Sequence, residues 1–228
     1  MTPLSLTPEK TRMANANHPI LDYLEDGLLR LADPSQAAPM QAYMKTNQPF
    51  RGVKSTPRRE LFRAAIKRHP IETRADYRTV ILALWRGVYR EENYLALDVA
   101  ERVKKFRDLE SWPLYDQLVQ TSPWWDTLDW IAAKIAGPLV LRHRELETEL
   151  VRWRGSDNMW VRRASLLAFL KHKRQTHTSL LGETILLLAH EQEFSYARPS
   201  AGCCVSMARA IQTGCALSSL NTRTNSRR

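Results

Sequence analysis

EENYLALDVAERVKKFRDL, residues 91–109, sets Leu95, Val99, Val103 and Phe106 on one face at helical spacing. The same period recurs on both sides of it. Upstream, Ile20, Leu21, Leu24, Leu28, Leu29 and Leu31 mark a helix over 20–32. Thr56-Pro57 reads as a helix start, a cap residue followed by Pro in the first turn, with the helix running to about Arg68. Asp76–Arg86 carries Val80, Ile81, Leu84 and Trp85, and Gly87 follows as a C-terminal stop. Downstream, Ser122-Pro123 starts a helix through Trp125 to about Ile135, and helices over Arg144–Trp153, Asp157–Lys171 and Thr178–His190 follow. No segment alternates cleanly with period two, so the chain reads as all-α.

The helices fall into pairs: 57–86, 91–119, 124–153 and 157–190. Each pair has one strongly apolar and one more charged member. About ten short helices form either a globular bundle or a stack of helix pairs; the antiparallel pairs resemble a HEAT-like α-solenoid, whose curvature offers a concave binding surface.

Composition agrees. Of 228 residues 43% are hydrophobic, enough for a core in one large domain or two small ones, and only 8 are Gly. The 34 basic and 24 acidic residues give a formal charge of +10. That excess suits nucleic acid, an acidic partner or a membrane surface without choosing among them. No apolar run approaches the roughly 18 residues of a membrane span, and Met1–Lys10 has no signal-peptide core. A soluble cytoplasmic protein is expected.

The densest chemical signal is Trp124-Trp125-Asp126-Thr127-Leu128-Asp129-Trp130, after Pro123. Trp125 and Asp129 are four apart and share a helix face, as do Asp126 and Trp130 on a neighbouring face. Asp126 lies in the first turn, where the helix dipole favours a carboxylate. Asp129 lies deeper, beside Ala132 and Ala133, small residues that leave room for an approaching group. The alternative is that the Trp side chains are core and both Asp residues are solvated or capping.

The second signal is Asp157-Asn158-Met159-Trp160-Val161-Arg162-Arg163-Ala164. Asp157 reads as the N-cap. Arg163 has Trp160 three before it and Leu167 four after it, which puts it on the apolar face. A buried Arg needs an anion, and Asp129 is a candidate; a structural ion pair or a snorkelling Arg is the alternative.

The third is Tyr43-Met44-Lys45, then Phe50-Arg51-Gly52-Val53-Lys54-Ser55-Thr56-Pro57. Its corner either holds a phosphate on backbone N–H groups or is an ordinary turn. Basic residues crowd 142–174: Arg142, Arg144, Arg152, Arg154, Arg162, Arg163, Lys171, Lys173 and Arg174. Interleaved with Trp, they suit a phosphate-backbone footprint as well as a solvated face. His143, His172, His177 and His190 have no HxxxH or HExxH spacing, so no metal is expected, and no P-loop, GxGxxG or GxSxG is present.

Taken in order, these three motifs resemble the bacterial AlkD-type DNA alkylation-repair glycosylases over about residues 18–194. The resemblance implies a HEAT-like solenoid that cradles duplex DNA. It implies hydrolysis of the N-glycosidic bond of N3- or N7-alkylated purines, without cofactor and without flipping the base into a pocket. By position, Asp129 matches the catalytic carboxylate and Trp125 an aromatic against the lesion's sugar. Arg163 matches a residue contacting the DNA backbone, and Tyr43 a DNA-contacting aromatic. Lys54 falls near a polar family position, and Trp160 and Arg162 join the DNA-binding set. The partner is double-stranded DNA carrying alkylated purines, met by a monomer at the nucleoid. A non-catalytic DNA-binding or protein-binding helical scaffold is the alternative.

The ends depart from this. Residues 1–16 are polar and read as a flexible leader, with the helical domain over 17–194. Residues 195–228 hold five Arg (Arg198, Arg209, Arg223, Arg227 and Arg228) and all three cysteines (Cys203, Cys204 and Cys215), but no Asp, Glu or Lys. The resemblance implies a further helix here with a second Trp, yet no Trp follows Trp160. Codons compatible with 195–205, regrouped one base earlier, can spell a helical segment that contains Trp. Residues 195–228 therefore read as an out-of-frame, disordered tail, which would impair activity.

Overall fold

Helix formation in this chain follows apolar period and local caps. The computed structural model describes residues 18–122 and 124–188. The leader, Pro123, the end of the helix expected to reach His190, and the 195–228 segment with its cysteines and its proposed frame lie outside them. The described residues are all-α and contain no strand.

The chain divides into two compact units after Arg102. In the first, α1 (Pro19–Leu31) buries Ile20, Leu21, Leu24 and Leu28, while Leu29 and Leu31 face outward, so the buried stripe is narrower than its sequence period implied. It packs on α3 (Ser55–Arg68). Between them α2 (Pro34–Met44) starts from Asp33, whose carboxylate accepts the Ser35 N–H at 2.9 Å. The α3 helix begins just before the expected Thr56 cap; Lys54 occupies the cap position and supplies no side-chain bond.

Helices α4 (Arg74–Trp85) and α5 (Arg90–Arg102) form a tightly connected pair. Thr73 caps α4 by accepting the Asp76 N–H, and Tyr77 donates its buried hydroxyl to the Ala100 carbonyl at 3.0 Å. The α5 helix stops well short of residue 109. Leu95 and Val99 are fully buried, but Val103 and Phe106 are only half-buried. With little packing to hold another turn, Val103 leaves helical backbone and a single 3₁₀ turn, Lys104–Phe106, follows.

The second unit begins with α6 (Trp112–Gln120). The helix expected from Ser122 to Ile135 is instead α7 (Trp125–Trp130), a π-helical turn (Ile131–Ala136) and α8 (Gly137–Arg142) in succession. Pro138 explains the widened turn. It lacks an N–H and its ring crowds the carbonyl four residues earlier, that of Lys134. That carbonyl accepts from Arg107 Nη1 instead, at 3.4 Å. Helices α9 (Glu147–Arg154) and α10 (Met159–Leu167) pack together, and α11 (Thr178–Leu188) lies on both. Trp112 and Trp153 stack at 5.2 Å in this core, with Trp153 Nε1 donating to Asp116 at 2.7 Å. No described helix is long and apolar enough to cross a membrane.

Candidate active site

Two motifs met separately in the sequence converge in the second unit. Arg163 lies one turn into α10 and is 4% exposed. Its Nε donates to Asp129 Oδ1 at 2.8 Å and its Nη2 to Asp129 Oδ2, also at 2.8 Å. This is the parallel two-bond geometry in which guanidinium and carboxylate bind most strongly. The Asp129 side chain keeps 26% of its surface open, so the pair is buried on the Arg side and accessible on the Asp side.

The surroundings are aromatic. Trp124, the N-cap of α7, packs against Trp160 with ring centroids 5.9 Å apart at 47°. Trp125 is half-buried one turn before Asp129. Lys134 lies 4.4 Å over the ring of Trp130, a cation–π contact on the neighbouring turn. Ala132 beside Asp129 is buried and adds no bulk.

The start of α7 is held by hydroxyls rather than by a capping carboxylate or amide. Thr127 Oγ1 donates to the Trp124 carbonyl at 3.0 Å, and the Ser122 and Thr127 hydroxyls are 2.8 Å apart. Asn158, not the expected Asp157, caps α10 by accepting the Trp160 N–H at 2.9 Å. Arg162 Nη1 donates to the Ser156 and Asp157 carbonyls at 2.8 and 2.9 Å, closing the turn that precedes α10.

Much of the basic cluster over 142–174 has internal acceptors. Arg142 donates to the Arg107 carbonyl, Arg144 to Glu147, Arg152 to Asp116 and Glu149, and Arg154 to Glu183. Burial pushes the Glu147 carboxyl up, but its bonds from His177 and Arg144 outweigh that and hold it below the ordinary Glu value. Among the described residues no group of three or more metal-ligating side chains occurs.

The remaining site residues belong to the first unit. Tyr43 is 79% exposed at the end of α2, and Lys54 is exposed at the start of α3. The corner between them carries no open anion cradle. Glu91 Oε2 accepts the Arg51 N–H at 3.0 Å, and Oε1 accepts those of Gly52 and Val53 at 2.9 and 3.0 Å. A buried carboxylate from α5 thus fills the position read as a phosphate site. Gly52 sits at φ +83°, and a Cβ there would fall 2.0 Å from the Asp33 carbonyl oxygen, so the corner requires glycine. The Glu91-Glu92 dipeptide at the first turn of α5 was the available signal for this clamp, but its partner lies about forty residues away.

The described residues are thus all-α and set a half-open Asp–Arg pair among tryptophans. The model of a family described as DNA alkylation repair enzyme matches residues 24–197. The chain belongs to the DNA alkylation repair enzyme family. Among solved structures it is similar to a predicted DNA alkylation repair enzyme from Enterococcus faecalis, with 29% identity, 72% of this chain and 76% of that chain covered, and a TM-score of 0.65. No curated protein matches the chain.

Proposed function

We propose that the protein is a DNA glycosylase that hydrolyses the N-glycosidic bond of cationic N3- and N7-alkylated purines in duplex DNA. The observation that carries this reading is the pairing of Asp129 with Arg163: a carboxylate held through both oxygens by a buried guanidinium, open on one side, with tryptophan faces nearby.

The chemistry matches such a group. Alkylation at N3 or N7 gives the purine a positive charge, so it leaves neutral without being protonated. The C1′–N bond breaks, its electron pair goes to the base, and the sugar acquires oxocarbenium character. Asp129 stabilises that cation across a low-dielectric gap and orients the water that attacks C1′. The proton of that water passes to the carboxylate or to solvent. Trp125 offers an electron-rich face to the same cation. Arg163, buried and engaged with both carboxylate oxygens, fixes the orientation of Asp129. Tyr43, Lys54, Trp160 and Arg162 are proposed as DNA contacts, carried on HEAT-like helix pairs. No cofactor takes part.

The same pair favours a second reading, DNA binding without catalysis, because Arg163 engages both Asp129 oxygens. The deciding experiment is release of free 7-methylguanine and 3-methyladenine from methylated duplex by this chain. Release that is lost in Asp129→Asn while duplex binding persists establishes the glycosylase. Steeply salt-dependent binding with no release establishes the binding protein.

A further inference from the structure

The helix that carries Asp129 and the helix that carries Arg163 touch again farther along, at a point no sequence motif marks. Eight residues after Asp129, Gly137 opens α8; nine residues after Arg163, His172 follows the 3₁₀ turn Ala168–Lys171. His172 is buried, and its Nε2 lies 2.8 Å from the Gly137 carbonyl oxygen. A carbonyl can only accept, so Nε2 carries the proton and donates. A Cβ on Gly137 would fall 2.2 Å from the Ala168 carbonyl oxygen, so two backbones abut here with no side chain between them. The two elements therefore run side by side in the same sense, joined at one place by Asp129–Arg163 and roughly 12 Å farther on by Gly137–His172, at the helical rise per residue.

What lies between the two joints is the π-helical turn, Ile131–Ala136. It begins two residues after Asp129 and ends immediately before Gly137. A π turn departs from the regular i→i−4 ladder, so the spacing and rotation between its two ends are not those of a continuous α-helix. The placement of Asp129 along its own axis is thus not fixed by α8 alone; it depends on where Gly137 is held against the Arg163 element. His172 supplies that hold. Burial pushes its imidazole below the ordinary His value, with the Gly137 bond opposing, and its ring meets Phe169 edge-on at 5.4 Å. A neutral ring wedged in this way is a fixed spacer.

We propose that His172 is a positioning residue for the reaction of Asp129: by donating to the Gly137 carbonyl it sets the register of the Asp129 helix against the Arg163 helix. The proposal rests on the glycosylase reading for its kinetic consequence, and on the geometry alone for its effect on the pair.

The test uses the full chain with His172→Leu and His172→Gln, the latter keeping an N–H able to reach the Gly137 carbonyl. Three quantities are read: single-turnover release of 7-methylguanine, the Kd for methylated duplex, and the NMR resonance of the Arg163 Nε–H group. In His172→Leu, release slows about 10-fold to 100-fold, the range expected when a reacting group is misplaced by an ångström or less. Duplex affinity stays within about twofold, since no phosphate contact is removed. The Arg163 resonance shifts or broadens. His172→Gln restores both the rate and the resonance. A folded His172→Leu with unaltered rate and resonance overturns the proposal, as does a Gln variant no better than Leu. Should His172→Leu fail to fold, ring ¹⁵N spectra of the unaltered chain decide: a proton on Nε2 held in a hydrogen bond is expected, and an Nδ1–H ring overturns it. If the unaltered chain releases no base, the functional reading fails, while the Arg163 resonance still reports whether His172 sets the pair.

Discussion

Arg163 grips both oxygens of Asp129, yet the two side chains differ sharply in exposure: the guanidinium is buried and the carboxylate is a quarter open. Arg163 therefore acts as the fixed half of the pair and Asp129 as the half presented outward. Replacing the carboxylate by an amide keeps the shape and one acceptor but removes the charge. In Asp129→Asn, base release is expected to fall at least about 100-fold, as when a preorganised electrostatic group is lost at a reacting centre. Duplex affinity stays within a few-fold. Product analysis by chromatography with parallel binding titrations checks this, and surviving release would remove Asp129 from the catalytic role.

Glu91 is buried and accepts three backbone N–H groups. Glu91→Gln replaces an acceptor by an NH₂ that faces the Arg51 N–H or its neighbours. The expected loss is about 2 kcal/mol, one charge-assisted hydrogen bond turned into an unmet donor. For a chain of this size that lowers Tm by roughly 4–8 °C. Thermal unfolding followed by circular dichroism measures it, and an unchanged Tm would show that the clamp adds nothing to stability.

Two glycines should respond oppositely to alanine. Gly137 has the Ala168 carbonyl oxygen 2.2 Å from its missing Cβ, and backbone there cannot step aside. Gly182, inside α11, has nothing within 4 Å. Gly137→Ala is expected to destabilise by about 2 kcal/mol or more through overpacking. Gly182→Ala is expected to stabilise by about 0.5–1 kcal/mol through helix propensity. Urea titrations of the two variants give the comparison, and equal effects would contradict the close approach at Gly137.

The buried imidazole of His172 gives stability a pH dependence of definite sign. Burial lowers its pKa from the ordinary 6.5, with the Arg144 charge adding to the effect and the Gly137 bond and Glu147 opposing. Above 6.5 both folded and unfolded chains hold the ring neutral, and the full stability is present. Below it the unfolded chain binds a proton that the folded chain refuses, so stability falls until the folded value is passed. A lower urea midpoint at pH 5.5 than at pH 7.5 is expected, with a smaller difference in His172→Gln. Equal pH dependence in both would assign it to other groups.

Helical content was legible because it rests on local pattern. The stripe Ile20, Leu24, Leu28 and the face Val80, Ile81, Leu84 need no knowledge of the rest of the chain, whereas the Thr73 cap, which starts α4 at Arg74 rather than at the expected Asp76, was not legible in that pattern. The partner of Arg163 was legible as well: an arginine on an apolar face needs a carboxylate, and Asp129 was the one flanked by small residues. The expectations that shifted depend on competition between distant groups. Pro138 marks where a helix is disturbed, but whether it ends, kinks or widens depends on groups distant in sequence, such as Arg107, which donates to the Lys134 carbonyl from some thirty residues earlier. The corner at Arg51–Val53 looked like an anion cradle because its donors are visible in sequence, whereas the carboxylate that fills it is not. Asn158 displaced Asp157 as the α10 cap by one residue, a choice between two competent caps that only the backbone path makes.

Glu91 has one more consequence. A bend that keeps its own resident anion has the same shape before and after it meets a polyanion. Under the proposed DNA contact, Lys54 at the end of that bend meets the duplex ready-made, and no folding of the loop has to accompany the encounter. Encounter at this part of the surface should therefore proceed as between rigid bodies, its speed set by charge and collision rather than by waiting for a segment to arrange itself.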